Sequence, residues 1–190
     1  MCKDQVLYLE SAIHRASAGK NNHDEAFYVR AIQVAEEALL IYQTKGIDNR
    51  NLQGKVYFNL GAAHADNPKG DLIRAEDSYA RALECFKIAQ AADDLIRTSI
   101  RLGKVYLLQK KYDLSQNIID DVRPKIMTKR LAMHADYLEA QLKFAMKDIN
   151  TALKIASVGL VRAKALGAKE DESRLTSLLR TIENGSFPEG

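Results

Sequence analysis

Apolar side chains recur at three- and four-residue intervals along almost the whole chain, and short turn-forming clusters interrupt them at regular distances. The first run, Asp4 to Ala18, sets Val6, Leu9 and Ile13 on one helical face, and Gly19-Lys20-Asn21-Asn22-His23 breaks it. Asp24 has the chemistry of an N-cap for the next helix, which gathers Phe27, Ala31, Val34, Ala35, Ala38 and Leu39. That helix stops at Lys45-Gly46, with a cation in the last turn and glycine just beyond it. Asp48 restarts a helix through Leu52, Val56, Leu60 and Ala63, and the turn residues Asp66-Asn67-Pro68-Lys69-Gly70 end it.

Asp71 then opens a long run holding Ala75, Tyr79, Ala82, Leu83 and Phe86, followed by a turn near Ala92-Asp93-Asp94. Lys110-Lys111-Tyr112-Asp113 marks the next turn, and Pro124 ends the short helix that follows. Thr128 to Leu166 holds another pair of runs, the second capped by Asp148. A solitary amphipathic run, Glu170 to Asn184, presents Leu175, Leu178, Leu179 and Ile182 on one side and Glu170, Asp171 and Glu172 in its first turn. The pattern predicts an all-α chain of paired helices, residues 1–185 forming one domain and 186–190 a short flexible tail.

The pairs repeat. Gly61 and Gly103 each follow a leucine and open a helical run, and each is trailed by a second run marked with small residues. In the Gly61 unit these are Ala75 and Ala82 with Tyr79 between them; in the Gly103 unit the counterparts are Ser115, Val122 and Ile119. Ala31, Ala35 and Ala38 extend the grid at one end, and Ala140, Ala152, Ala156 and Gly159 at the other. This pattern resembles the tetratricopeptide repeat, or TPR. The 42 residues from Gly61 to Gly103 exceed the usual 34 of that repeat and resemble its longer branch, that of kinesin light chain and bacterial peptide-sensing regulators. The resemblance implies a right-handed α-solenoid of about four helix hairpins. The final helix would serve as its cap, because a stack of repeats must cover its last apolar face.

Composition narrows the function. An apolar fraction of 46% beside 28% charged residues suits a water-soluble fold, and 28 basic against 25 acidic residues give little reason to expect nucleic acid. No apolar run approaches the roughly 18–20 residues that span a bilayer, so membrane insertion is not expected. Cys2 and Cys85 are far apart and suggest reduced thiols in the cytoplasm. Gly19-Lys20, Gly54-Lys55 and Gly103-Lys104 lack the Ser or Thr that completes a phosphate-binding loop. His14, His23, His64 and His134 are scattered, so no metal or other cofactor is expected. No acid, base or nucleophile signature supports an enzyme; His64 reads as a packing residue and Asp120-Asp121 as a solvated outer face.

In TPR proteins the first helix of each pair lines a concave groove, and the resemblance directs attention to those positions here. Arg97, Arg101, Lys104 and Leu108 fall within an arc of about 60° on a 3.6-residue period. The preceding pair supplies Lys55, Asn59 and Ala62, and the following one His134, Tyr137, Gln141 and Phe144. Arginine forks bind carboxylates in bidentate fashion and an asparagine amide pairs with extended peptide backbone, so the expected ligand is an acidic or extended peptide. Asn59, Arg97 and Arg101 partly resemble the carboxylate clamp of chaperone-binding TPR proteins, but Leu9 and Ile13 stand where that clamp has lysine and asparagine. The plainer reading makes the basic stripe a solvated face neutralised by Asp66, Asp93 or Asp94, with Tyr137 and Phe144 as packing residues. Function is therefore expected to be non-catalytic: a peptide-binding adaptor or, alternatively, a self-associating scaffold or a repeat segment of a larger multidomain protein.

Overall fold

The computed structural model describes residues 3–20, 25–46 and 48–185, and every regular element among them is helical. The α-helices are α1 (Lys3–Lys20), α2 (Glu25–Lys45), α3 (Arg50–Asp66), α4 (Leu72–Ile88), α5 (Ala92–Leu108), α6 (Tyr112–Val122), α7 (Lys129–Ala145), α8 (Ile149–Ala165) and α9 (Lys169–Glu183). A 3₁₀ turn at Arg123–Lys125, carrying Pro124, follows α6 and ends it where the proline requires. Two compact units divide the chain, Met1–Val105 and Tyr106–Gly190. The expected Asp24 cap and the tail from residue 186 lie outside the described residues, as do Cys2 and His23.

Caps fall close to their expected places. The Asp71 carboxylate accepts from the backbone of Ile73 at 2.8 Å and Arg74 at 3.1 Å, and Asp148 accepts from Thr151 at 3.2 Å. At α3 the cap is Asn49 rather than Asp48. The Asn49 side chain takes the Leu52 amide at 3.0 Å, while Asp48 accepts from Arg50 Nε at 2.8 Å. Asp93 and Asp94 lie in the first turn of α5, where carboxylates suit the positive helix end, so the preceding turn is Ala89–Ala91.

One C-terminal device recurs at four helix ends. Gln90, Lys110, Lys147 and Gly167 each adopt a left-handed backbone, with φ of 53°, 60°, 66° and 63°. The amide after each reaches back to a carbonyl five residues earlier: Ala91 to Phe86, Lys111 to Tyr106, Asp148 to Lys143 and Ala168 to Ala163, all at 2.8–3.0 Å. Only Gly167 meets this backbone without steric cost, so three of these turns carry no glycine signal in the sequence.

In the first unit α1 packs on α2 and α3, α2 on α3, and α3 on α4. Leu7, Val34, Ala35, Ala38, Tyr42, Val56 and Leu60 form its main apolar cluster, and Tyr28, Ala31 and Ala63 a second. The face of α1 differs from the one expected. Leu9 and Ile13 are exposed, whereas Leu7 and Ser11 are buried, and Ser11 Oγ donates to the Ala31 carbonyl at 2.9 Å. A small hydroxyl lets α1 approach the α2 backbone closely and satisfies its own polarity there, which the larger apolar pair could not do.

Small residues set the spacing of α3 and α4. Ala75, Tyr79 and Ala82 are fully buried, and a Cβ at Gly61 would stand 3.0 Å from the Tyr79 ring. Gly61→Val is expected to lower stability by about 1–3 kcal/mol, because the fully enclosed ring cannot retreat from added methyl groups. Urea unfolding of the whole chain measures this; a loss within error would show that α3 and α4 separate freely.

In the second unit α7 packs on α8, α8 on α9, and α6 on α7. Ser115, Ile119 and Val122 of α6 are buried like their counterparts in α4. Ala140, Phe144, Ala152, Ala156, Leu178 and Ile182 make one cluster; Met133, Ala163 and Leu175 make another. The apolar stripe of α9 is thus spent on α7 and α8, and its polar side faces water.

Candidate functional site

The first unit contains a cavity of about 180 Å³ walled mainly by three helices. Tyr8, Ala12 and Arg15 enter it from α1, one position before and two after the expected Leu9 and Ile13. Lys55, Phe58 and Asn59 come from α3, one helical turn apart, and Asp94 and Arg97 from α5. Phe86 closes one side. Three of the residues expected from the sequence, Lys55, Asn59 and Arg97, therefore converge here.

Their electrostatic situations differ. Among the described residues Lys55 has no ion-pair partner, and it lines the cavity. Arg97 Nη1 lies 3.2 Å from Asp94 Oδ1 on the same helix, and half of its side chain is exposed. Asn59 is buried, and its Nδ2 donates to the Tyr8 carbonyl at 3.4 Å, joining α3 to α1. Arg15 Nε is buried without a hydrogen-bond partner, although Nη1 of the same guanidinium lies 3.7 Å from Asp66 Oδ2.

Arg101 and Lys104, the other expected cations, belong to an ionic cluster centred on Asp66. Arg101 Nη2 donates to Asp66 Oδ2 at 2.6 Å and Arg101 Nε to the Tyr79 hydroxyl at 3.2 Å, while Lys104 Nζ stands 3.9 Å from Asp66 Oδ1. Burial alone would raise the Asp66 carboxyl, but Arg101, Lys104 and Arg15 together hold it below its usual range. Burial pushes the Tyr79 phenol up, so it stays a neutral partner. The basic stripe of α5 is therefore divided: Arg97 serves the cavity, and Arg101 and Lys104 anchor α5 to Asp66 at the end of α3.

Tyr137 and Gln141 belong to the second unit. Tyr137 is half-buried against the two apolar clusters named above for that unit, and burial raises its phenol. Among the described residues Gln141 Oε1 is buried with no hydrogen-bond partner. Beside them on α7 stands Asp136, which the sequence did not single out. Its carboxylate is 4% exposed, receives Arg123 Nη1 at 2.7 Å on Oδ1 and pairs through Oδ2 with Arg162, while Arg123 also holds Glu139. The only sequence hint was an aspartate flanked at helical spacing by Ala132, Met133 and Ala140.

Sequence reasoning also missed Tyr8 and Arg15, because the α1 register was read from its largest apolar residues, and Phe58, the residue before Asn59 on α3. Ser11 was the available signal: a small polar residue recurring with Leu7 marks the tightly packed side. His64 is buried, and burial followed by Arg74 lowers its pKa, consistent with packing. Among the described residues no three His, Cys, Asp or Glu side chains gather to hold a metal, and no helix is long and apolar enough to cross a membrane. No family model matches the chain. No curated protein matches it significantly either.

Proposed function

We propose that this chain is a non-catalytic peptide-binding module built of TPR-like hairpins in an α-solenoid, acting as an adaptor in the cytoplasm. One observation carries the reading: α1, α3 and α5 together line a cavity in which Lys55 has no ion-pair partner among the described residues. A solvated lysine at a flat surface needs no partner, but one facing a recess beside Arg15 and Arg97 favours an anionic guest. The buried small residues of α4 and α6, which match the repeat grid, support the hairpin reading.

The test is selection of binders from a random peptide display library on the immobilised full chain. Enriched peptides are expected to carry acidic residues and to lose roughly 10-fold or more in affinity for Lys55→Glu, with unchanged helical circular dichroism. Arg101 is unsuitable for charge reversal because it holds Asp66. Failure to enrich any sequence, or enriched peptides indifferent to Lys55→Glu, would overturn the proposal.

A further inference from the structure

The cavity between α1, α3 and α5 has two kinds of wall. Arg15, Lys55 and Arg97 bring three cations to it, and Asp94 is the one carboxylate among its lining residues. Arg97 is engaged by Asp94, and Arg15 is partly engaged by Asp66, yet among the described residues Arg15 Nε is buried without an acceptor and Lys55 has no counter-ion. The lining thus carries two positive charges beyond what Asp94 balances. The second wall is aromatic: Tyr8, Phe58 and Phe86 border the same space.

We propose that this cavity takes an aryl phosphate, the side chain of a phosphotyrosine within a peptide. The inference rests on the peptide-binding reading above and names the chemical class of its ligand. Charge argues for phosphate over carboxylate. A phosphate monoester carries about −1.5 to −2 at neutral pH, which matches the surplus, whereas a carboxylate carries a single charge and leaves half of it unbalanced. Donor chemistry agrees, since the terminal oxygens can accept together from the Lys55 ammonium and the outer guanidinium nitrogens of Arg97, with the Arg15 charge behind them. Size and polarity argue for an aryl carrier. The recess of about 180 Å³ holds more than a bare phosphate, and the ring of the guest lies against Tyr8 and Phe58. Asp94 positions Arg97 at the rim, where half of its side chain meets solvent and can turn inward to the ligand.

Phenyl phosphate titrated into the ¹⁵N-labelled full chain is the direct probe. Saturable shifts are expected at the amides of Tyr8, Lys55, Phe58 and Arg97, with phenol and inorganic phosphate each roughly 10-fold weaker. Lys55→Gln and Arg97→Gln, both at partly solvated positions, should each weaken binding roughly 10-fold while leaving the rest of the spectrum in place. A degenerate peptide pool with fixed phosphotyrosine should bind more tightly than phenyl phosphate, than the same pool with tyrosine, and than one with phosphoserine. Phenol binding as well as phenyl phosphate, or unchanged affinity in both variants, overturns the anion site. Equal binding of inorganic phosphate or of the phosphoserine pool overturns the aromatic part, and phenyl phosphate outbinding the pool makes the guest a free small molecule. Display-selected peptides that bind without any gain from phosphorylation would overturn this inference and leave the peptide-binding function standing.

Discussion

Asp136→Ala is expected to lower the unfolding free energy of the chain by about 3 kcal/mol, toward the lower end of what loss of one partner from a buried ion pair costs. The reason is the cluster it leaves behind. Asp136 is enclosed in the second unit and receives both Arg123 and Arg162. Without it Arg123 retains Glu139, to which its Nε donates at 3.0 Å, but Arg162 loses the carboxylate that draws it inward. About a third of the Arg162 side chain already meets water, so it can tilt outward and recover part of its hydration, which places the loss near 3 rather than 5 kcal/mol. The pair Asp136→Leu with Arg162→Met should restore most of the difference, because apolar groups of similar volume need no counter-charge. Urea unfolding of the three proteins measures this. A single-variant loss under about 1 kcal/mol, the range of exposed ion pairs, would show that the cluster is solvated in solution.

Asp66→Asn should cost about 2–3 kcal/mol at neutral pH, since Arg101, only a quarter exposed, then keeps a neutral acceptor in place of a charged one. The same residue sets an acid limit. Its carboxyl is held below the ordinary value, so its contribution is complete above the unfolded-state pKa and disappears as pH falls through the lower folded-state pKa. Stability of the natural chain should therefore decline below about pH 4, and the Asn variant should lack the share of that decline due to Asp66. Parallel unfolding-free-energy profiles against pH would refute the assignment. Arg101 does not titrate in this window, because Asp66 and Tyr79 raise it further above an already high value.

Legibility in the sequence followed the range of the interaction. Turns closed by residues a few positions apart could be read directly: Gly46 beyond Lys45, the caps Asp71 and Asp148, and the proline after α6. Where the local chemistry was ambiguous the reading slipped by one residue, as at Asp48 and Asn49, since both types cap helices equally well. The α1 face was misplaced for a different reason. Its packing side is defined by contact with two other helices and by the Ser11 bond to Ala31, twenty residues away, and no property of α1 alone reveals that. The cavity residues divide the same way: Lys55, Asn59 and Arg97 were expected from the repeat resemblance, whereas Tyr8, Arg15 and Phe58 depended on how α1 settles against α3.

Helical periodicity, small-residue spacing and turn chemistry were enough to predict that the described residues form a run of α-helices packing on their neighbours, the last one amphipathic. Those properties arise within one or two turns of backbone, and the residues that cause them are neighbours in the chain. Which charges stay available and which are neutralised was settled only by packing. Arg97, Arg101 and Lys104 share one stripe of α5, yet one borders a recess and two bind Asp66 on another helix, because Coulomb energy depends on distances in space that helical spacing does not encode.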